Sequence, residues 1–113
     1  MTAALPVETL DWHGLRLAVT DGVLPPWNSS EAMVRTMADI RPCRRNGTVV
    51  DVGCGSGVLG LFAALTWPHT TAVLIDVDPV AAQAAARSVA LSAQRLEERG
   101  SRVVVLCLSL IHI

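Results

Sequence analysis

The hydrophobic pattern divides the chain into two parts near its middle. In the first part, residues 10–20 alternate loosely between apolar and polar positions, which predicts a short strand or hairpin. A helix is predicted to follow from Asn28, because Asn28 and Glu31 have the spacing of a capping box, and Pro42 ends it. We therefore expect residues 1–46 to form an N-terminal extension that packs on the rest of the chain.

The second part of the chain alternates between apolar strands and helices. Short, largely β-branched runs predict three strands, the first two buried in a parallel sheet, at 48–50, 72–75 and 103–107. Two longer segments predict helices at 58–66 and 80–99. The order strand-helix-strand-helix-strand with short connections predicts an α/β fold, a Rossmann-like, doubly wound parallel sheet with right-handed crossovers.

Composition and charge exclude several classes of protein. The hydrophobic fraction of 51% argues against disorder, and a net charge of −1 lacks the basic excess of proteins that bind phosphate backbones nonspecifically. No apolar run is long enough to cross a bilayer, and the N-terminus lacks the basic region of a signal peptide. Three widely spaced cysteines favour reduced thiols, and no Cys/His spacing suggests a metal site. We expect a cytoplasmic protein.

The last six residues differ from the arginine- and alanine-rich remainder. They read L-S-L-I-H-I, which is similar to the translation of a transposase adapter used in sequencing libraries. We therefore expect residues 108–113 to be a non-native tail and the sheet to be truncated after its third strand, at Cys107. The first strand would then be an open apolar edge, so we expect a fragment that is insoluble, dimeric through that edge, or molten.

A glycine-rich loop carries most of the functional signal. Residues 51–57 read D-V-G-C-G-S-G and join the first buried strand to a helix. Glycines let the backbone turn sharply and let a ligand approach the main chain, and the helix N-terminus offers unpaired N–H groups. Asp76 ends the next strand, 19 residues after Gly57, where an acid reaches the ribose hydroxyls of a bound nucleoside.

Two classes of cofactor fit this loop. Residues 55–60 satisfy the G-x-G-x-x-G pattern of dinucleotide-binding proteins. Asp51, however, would repel a pyrophosphate and attract a cationic amino acid group, which favours S-adenosylmethionine because that cofactor has no phosphate and carries ammonium and sulfonium charges. An NAD-dependent oxidoreductase and a noncatalytic Rossmann-like binding module stay as alternatives.

The two motifs together resemble a known family. Residues 49–57, VVDVGCGSG, and residues 74–78, LIDVD, resemble the first two motifs of class I S-adenosylmethionine-dependent methyltransferases. The resemblance implies that the first acid and the glycines line the methionine part of the cofactor, the strand-end acid holds the ribose, and the residue after it lies against the adenine. Cys54 is expected to be a small packed thiol. The candidate cofactor-binding residues are Asp51, Gly53, Cys54, Gly55, Gly57, Asp76 and Val77.

The N-terminal part narrows the expected substrate. Residues 22–31 resemble the P-R-P-E-T-E entry of release factor glutamine methyltransferases, with Pro26, Ser30 and Glu31 matching in type and Trp27 differing. The resemblance implies methyl transfer to a protein glutamine amide or to a nucleic acid. In such enzymes the acceptor is handled after the fourth strand. We therefore assign no catalytic residue, and we expect this fragment to be inactive on its own.

Overall fold

The computed structural model describes residues 9–19, 21–23, 28–40 and 46–108. Pro26, Trp27, Pro42 and all but the first residue of the predicted tail lie outside these ranges. In chain order the elements are β1 (Thr9–Trp12), β2 (Leu15–Ala18), α1 (Asn28–Asp39), β3 (Thr48–Val52), α2 (Val58–Thr66), β4 (Thr71–Asp76), α3 (Pro79–Leu91), α4 (Ala93–Arg99) and β5 (Arg102–Cys107).

The predicted hairpin in the first part is confirmed. Strands β1 and β2 pair antiparallel, from Thr9 opposite Ala18 to Trp12 opposite Leu15. The two residues of the turn, His13 and Gly14, both have positive φ, 48° and 78°. This is the backbone of a type I′ turn, whose twist matches that of the strands it joins.

A three-stranded parallel sheet forms the second part. Its order is β3-β4-β5, and both pairs are parallel. Helix α2 connects β3 to β4, and helices α3 and α4 connect β4 to β5. The predicted α/β fold, its three strands and the bounds of α2 are confirmed, although each strand is longer than the sequence pattern indicated.

One face of the sheet is covered by helices. Ala72 and Leu74 of the central strand are fully buried on this face. Leu61 of α2 and Ala85 of α3 pack there and are also fully buried, so the core lies between the sheet and these helices.

The opposite face of the sheet is open. Val50 and Val52 of β3 are 56% and 52% exposed, and Val104 and Leu106 of β5 are also exposed. The prediction of a first strand buried on both sides is therefore wrong for the described residues, because β3 lies at the sheet edge and the described helices pack on the other face. Among the described residues β3 pairs with β4 alone and exposes apolar side chains, whereas the predicted truncation of the sheet stays a prediction.

The helix predicted over 80–99 is two helices. The chain leaves helical geometry at Ser92, with φ −106° and ψ 9°, and the Leu96 N–H donates to the Ser92 carbonyl at the start of α4. Serine competes with helical backbone hydrogen bonds, and after the break Leu96 of α4 joins the same buried cluster as Ala72. The predicted end of the helical segment at residue 99 is confirmed, and Gly100 follows it as the C-cap with φ 68°.

The hairpin and α1 pack on the helical layer at separate places. Buried Ser88 of α3 accepts a hydrogen bond from the Ala18 N–H at 2.9 Å and donates to the Ala84 carbonyl at 3.1 Å. Helix α1 lies against α2. Past the C-terminal end of α1, the Trp67 Nε1–H donates to the Ile40 carbonyl at 3.1 Å.

Candidate functional site

A cavity of about 370 Å³ lies at the carboxyl ends of β3 and β4. In parallel α/β sheets this end is where ligands bind, because strand ends and helix N-termini meet there. The lining residues come from the glycine loop, the two strand ends, the first turns of α2 and α3, and the N-terminal part; they are Gly22, Val23, Ser30, Asp51, Gly53, Cys54, Gly55, Ser56, Val58, Leu59, Asp76, Asp78 and Ala81.

Asp51 lies near the end of β3 and is hydrogen-bonded to the first turn of α2. Its Oδ2 accepts from the Gly60 N–H at 3.0 Å. A Cβ at position 60 would lie 2.0 Å from Leu74 Cδ2 and 3.3 Å from Asp51 Cβ, so a larger residue there requires the Leu74 side chain to shift. Burial raises the pKa of Asp51; the Gly60 hydrogen bond lowers it in part, and the nearby charge of Asp76 raises it further.

Asp76, the last residue of β4, joins two loops of the site. Its Oδ2 accepts from the Gly55 N–H at 3.0 Å, and its Oδ1 accepts from the Asp78 N–H at 2.9 Å. A carboxylate oxygen has two acceptor positions, so each can still accept a hydrogen bond from a ligand hydroxyl. Asp76 can therefore order the glycine loop and bind a ligand at the same time.

The glycine loop adopts a backbone that side chains disfavour. Gly53, Gly55 and Gly57 have φ values of 70°, 54° and 83°. A Cβ would meet no atom within 4 Å at Gly53 or Gly55, whereas at Gly57 it would lie 2.9 Å from Leu74 Cδ1 and 3.2 Å from Ala85 Cβ. The first two glycines leave space beside the cavity, and Gly57 lets the loop pack against α3.

Cys54 lies within the loop as a buried thiol. It is 6% exposed, and burial raises its pKa to about 12, with the charges of Asp51 and Asp76 acting in the same direction. A thiol with so high a pKa is protonated at neutral pH and is a poor nucleophile. This agrees with the expectation of a small packed side chain.

The structure brings together five of the seven predicted binding residues. Asp51, Gly53, Cys54, Gly55 and Asp76 all line the cavity, whereas the other two do not. Gly57 is buried behind the loop, and Val77 is 69% exposed outside the lining. Ligand roles for these last two residues stay predictions.

Several lining residues were not predicted from the sequence. Gly22, Val23 and Ser30 form a wall of the cavity from the N-terminal part, because α1 packs beside α2. The resemblance to a known N-terminal motif was the only signal at Ser30. Asp78 is the N-cap of α3, since its Oδ1 accepts from the Val80 N–H at 2.9 Å, and the residue also lines the cavity.

The charge of the lining is acidic. Asp51, Asp76 and Asp78 are its ionisable carboxylates, and none of the lining residues that the structure describes is basic. In the first turn of α2, where a phosphate would bind, the Gly60 N–H already donates to a carboxylate. The cavity therefore favours a cationic ligand over a pyrophosphate.

The described ranges contain neither a cluster of metal ligands nor a helix that could cross a membrane. In residues 9–19, 21–23, 28–40 and 46–108, no group of three or more His, Cys, Asp or Glu side chains is placed to hold a metal ion. In the same part of the chain, no helix has the length and apolar character needed to span a membrane.

Comparison with known proteins gives a consistent set of relatives. The sequence model of the family described as Methyltransferase small domain matches residues 28–106. The release factor glutamine methyltransferase of Gloeobacter violaceus is 33% identical over 82 residues, which cover 69% of this chain and 29% of that protein. The ribosomal RNA large subunit methyltransferase G of Shewanella amazonensis is 33% identical over 81 residues, 72% of this chain and 21% of that protein.

A third relative extends over more of the chain. The release factor glutamine methyltransferase of Geobacter sulfurreducens is 30% identical over 97 residues, which cover 86% of this chain and 31% of that protein. The chain thus spans less than a third of the length of the relatives it matches.

Proposed function

The chain belongs to the Methyltransferase small domain family, and from this premise we propose that its cavity binds S-adenosylmethionine as the cofactor-binding part of a methyltransferase. The observation that supports this most is the pair Asp51 and Asp76. They lie at the ends of adjacent parallel strands, around a glycine loop, in a cavity whose described lining has no basic residue.

The electrostatics of the pair fit a cationic ligand. Burial raises the pKa of Asp51, which means that the folded protein disfavours its negative charge in the absence of a partner. An ammonium or sulfonium group nearby would stabilise the ionised carboxylate. A nicotinamide dinucleotide would instead bring its pyrophosphate close to the same carboxylates.

The proposed contacts follow the resemblance residue by residue. Asp51, Gly53 and Gly55 would hold the methionine part, because the two glycines leave open space where a side chain would project. Asp76 would accept from the ribose hydroxyls with the acceptor positions that its backbone partners leave free. Val77, which directly follows Asp76 and is exposed, would lie against the adenine.

The chemistry follows from the cofactor. When bound, S-adenosylmethionine supplies an electrophilic methyl group on a sulfonium. The residues of this chain would bind and orient it, so that an acceptor atom can approach in line; such alignment provides much of the acceleration in group transfer.

The acceptor and the larger architecture belong to the same proposal. We propose a protein glutamine amide or a nucleic acid as the acceptor, since the relatives are named for these two substrates. We also keep the prediction of a doubly wound sheet, in which further elements would cover the open face. The predicted non-native origin of residues 108–113 stays a prediction as well.

Calorimetry on the 113-residue chain tests the cofactor. We expect S-adenosylmethionine and S-adenosylhomocysteine to bind and NAD not to bind. Asp51→Asn and Asp76→Asn should each weaken binding about tenfold or more, because each removes a charged hydrogen-bond partner. Asp11→Asn, an exposed carboxylate outside the cavity, is the control and should leave the affinity unchanged. Binding of NAD, or equal binding by all four proteins, would contradict the proposal.

A further inference from the structure

The N-terminal wall of the cavity depends on how α1 is held. Ser30, in the first turn of α1, lines the cavity. Past the other end of the helix, the Ile40 carbonyl accepts from Trp67, and in the middle Val34 is 2% exposed. These two contacts hold the middle of α1 and the residue past its C-terminal end. A contact between the first turn and another element would therefore also be needed to keep the wall in position.

One contact provides such an attachment. His13 Nε2 lies 2.8 Å from Glu31 Oε1, so the residue next to Ser30 is tied to the turn of the β1–β2 hairpin. The hydrogen bond from His13 is also the main reason why the pKa of Glu31 is lowered, so the carboxylate is ionised at neutral pH.

The hairpin turn is itself firmly held. An Arg95 Nη of α4 donates to the Gly14 carbonyl at 2.5 Å, and β2 is hydrogen-bonded to buried Ser88 of α3. The ring of Trp12 meets the His13 ring edge-on, with centroids 4.4 Å apart, which restricts the orientation of the imidazole. His13 thus connects the hairpin, which is held by α3 and α4, to the first turn of α1.

We propose that His13 and Glu31 are positioning residues for the cofactor cavity: their contact holds the first turn of α1, and with it Ser30, against the glycine loop. This inference rests on the proposed function for the identity of the ligand. Among the described residues, a second charged group that contacts Glu31 is Arg35, at 3.5 Å on the same helix. Because Arg35 belongs to the same helix as Glu31, their contact cannot tie α1 to another element.

The chain offers variants that separate the contact from other effects. His13→Asn keeps a residue that tolerates positive φ and favours a type I′ turn, but its side chain is shorter than that of histidine. Glu31→Ala removes the other partner. Arg35→Ala is the matched control, since it removes a partner of the same carboxylate without breaking the contact between elements.

The experiment measures the affinity for S-adenosylhomocysteine and the amide hydrogen exchange of residues 30–33. We expect His13→Asn and Glu31→Ala each to weaken binding about two- to fivefold, the scale of a partly exposed ion pair, and the double variant to lose no more than either one. Exchange should rise in the first turn of α1 but not at Ile40.

The outcomes separate this inference from the proposed function. Equal affinity in wild type and both variants would overturn the inference, as would an equal loss in Arg35→Ala. If the wild type binds no S-adenosyl compound, the proposed function fails. Hydrogen exchange then still tests whether the contact between His13 and Glu31 holds the first turn of α1. Faster exchange of residues 30–33 in both His13→Asn and Glu31→Ala would support the positioning role, and unchanged exchange would overturn it.

Discussion

The two faces of the three-stranded sheet have similar apolar character but different surroundings. On the covered face, Ala72 and Leu74 are fully buried under α2 and α3. On the open face, Val50 and Val52 are each more than half exposed, although valine is as apolar as the residues of the core. Since all four residues are apolar, the packing of the helices, and not hydrophobicity, separates the buried pair from the exposed pair.

The candidate site belongs to the covered face. Asp51 pairs in register with buried Leu74, and both side chains point toward the helices. Gly57 of the loop and Gly60 of α2 lie close to Leu74, since a Cβ at either position would be 2.9 Å or 2.0 Å from its methyl groups. Substitutions on the covered face should therefore affect both stability and binding, while those on the open face should affect neither strongly.

The largest expected difference between the faces is at Leu74. Leu74→Ala should lower the free energy of unfolding by about 2–5 kcal/mol, because it removes fully buried methyl groups and leaves a cavity between the sheet and two helices. Val50→Ala, the control on the open face, should cost less than about 1 kcal/mol. Urea unfolding followed by circular dichroism measures both, and similar losses would mean that the open face is covered in solution.

Gly60→Ala tests the close contact between α2 and the sheet. In an open helix this change would stabilise the protein by about 1 kcal/mol, because alanine favours helix more than glycine does. Here the new Cβ would meet Leu74 Cδ2 and Asp51, and we expect a net loss of about 1–3 kcal/mol. The sign of the change in urea unfolding is the decisive observation, since a gain in stability would show that α2 can move away from β4.

Asp51→Asn should change stability and binding in opposite directions. Since burial raises the pKa of Asp51 above its ordinary value of 3.8, the folded state prefers the protonated form, and the ionised form costs stability. Stability at this group is therefore highest below pH 3.8 and falls as the pH rises through the raised pKa. Asparagine keeps an acceptor for the Gly60 N–H and carries no charge.

Thermal unfolding across pH measures this effect. We expect Asp51→Asn to raise Tm by about 1–3 °C at pH 7 and to lose that advantage below the ordinary pKa of an aspartate. Binding of S-adenosylmethionine should weaken in the same variant. A variant that is less stable at pH 7 would show that the charge of Asp51 is compensated in the folded protein, and Asp11→Asn serves as the exposed control.

The sequence predicted the helices and strands of this fold better than it predicted which of their faces are covered by other elements. Glycine and proline punctuation together with β-branched runs located α2, the three strands and the loop at 53–57, because these signals act within a few residues. The break at Ser92 was missed because it depends on how Leu96 reaches the core. The open face was not visible in the strand pattern, since parallel strands are apolar on both sides whether or not both sides are covered.

The residues of the candidate site that could be predicted are those that belong to short sequence patterns. Asp51 and Asp76 could be identified from their places after strands, and the glycines from their spacing. The wall formed by Gly22, Val23 and Ser30 depends on the packing of α1 against α2, which no local pattern encodes. His13 is exposed in the hairpin turn, and its contact with Glu31 of α1 joins two elements that are distant in the sequence, so no local pattern indicated that contact.

The smallest expected change in stability is on the open face itself. Val50→Thr keeps the shape of the side chain and its β-branch, so the free energy of unfolding should stay within about 0.5 kcal/mol of the wild type. Its effect should instead be on association, because an edge strand with exposed valines is a surface on which chains pair. Sedimentation velocity should show less self-association than in the wild type, whereas Val19→Thr, an exposed valine outside the sheet, should show none of this change. If both variants associate as the wild type does, the exposed valine of the open face does not promote self-association. The two faces would then differ in packing but not in their interactions with other chains.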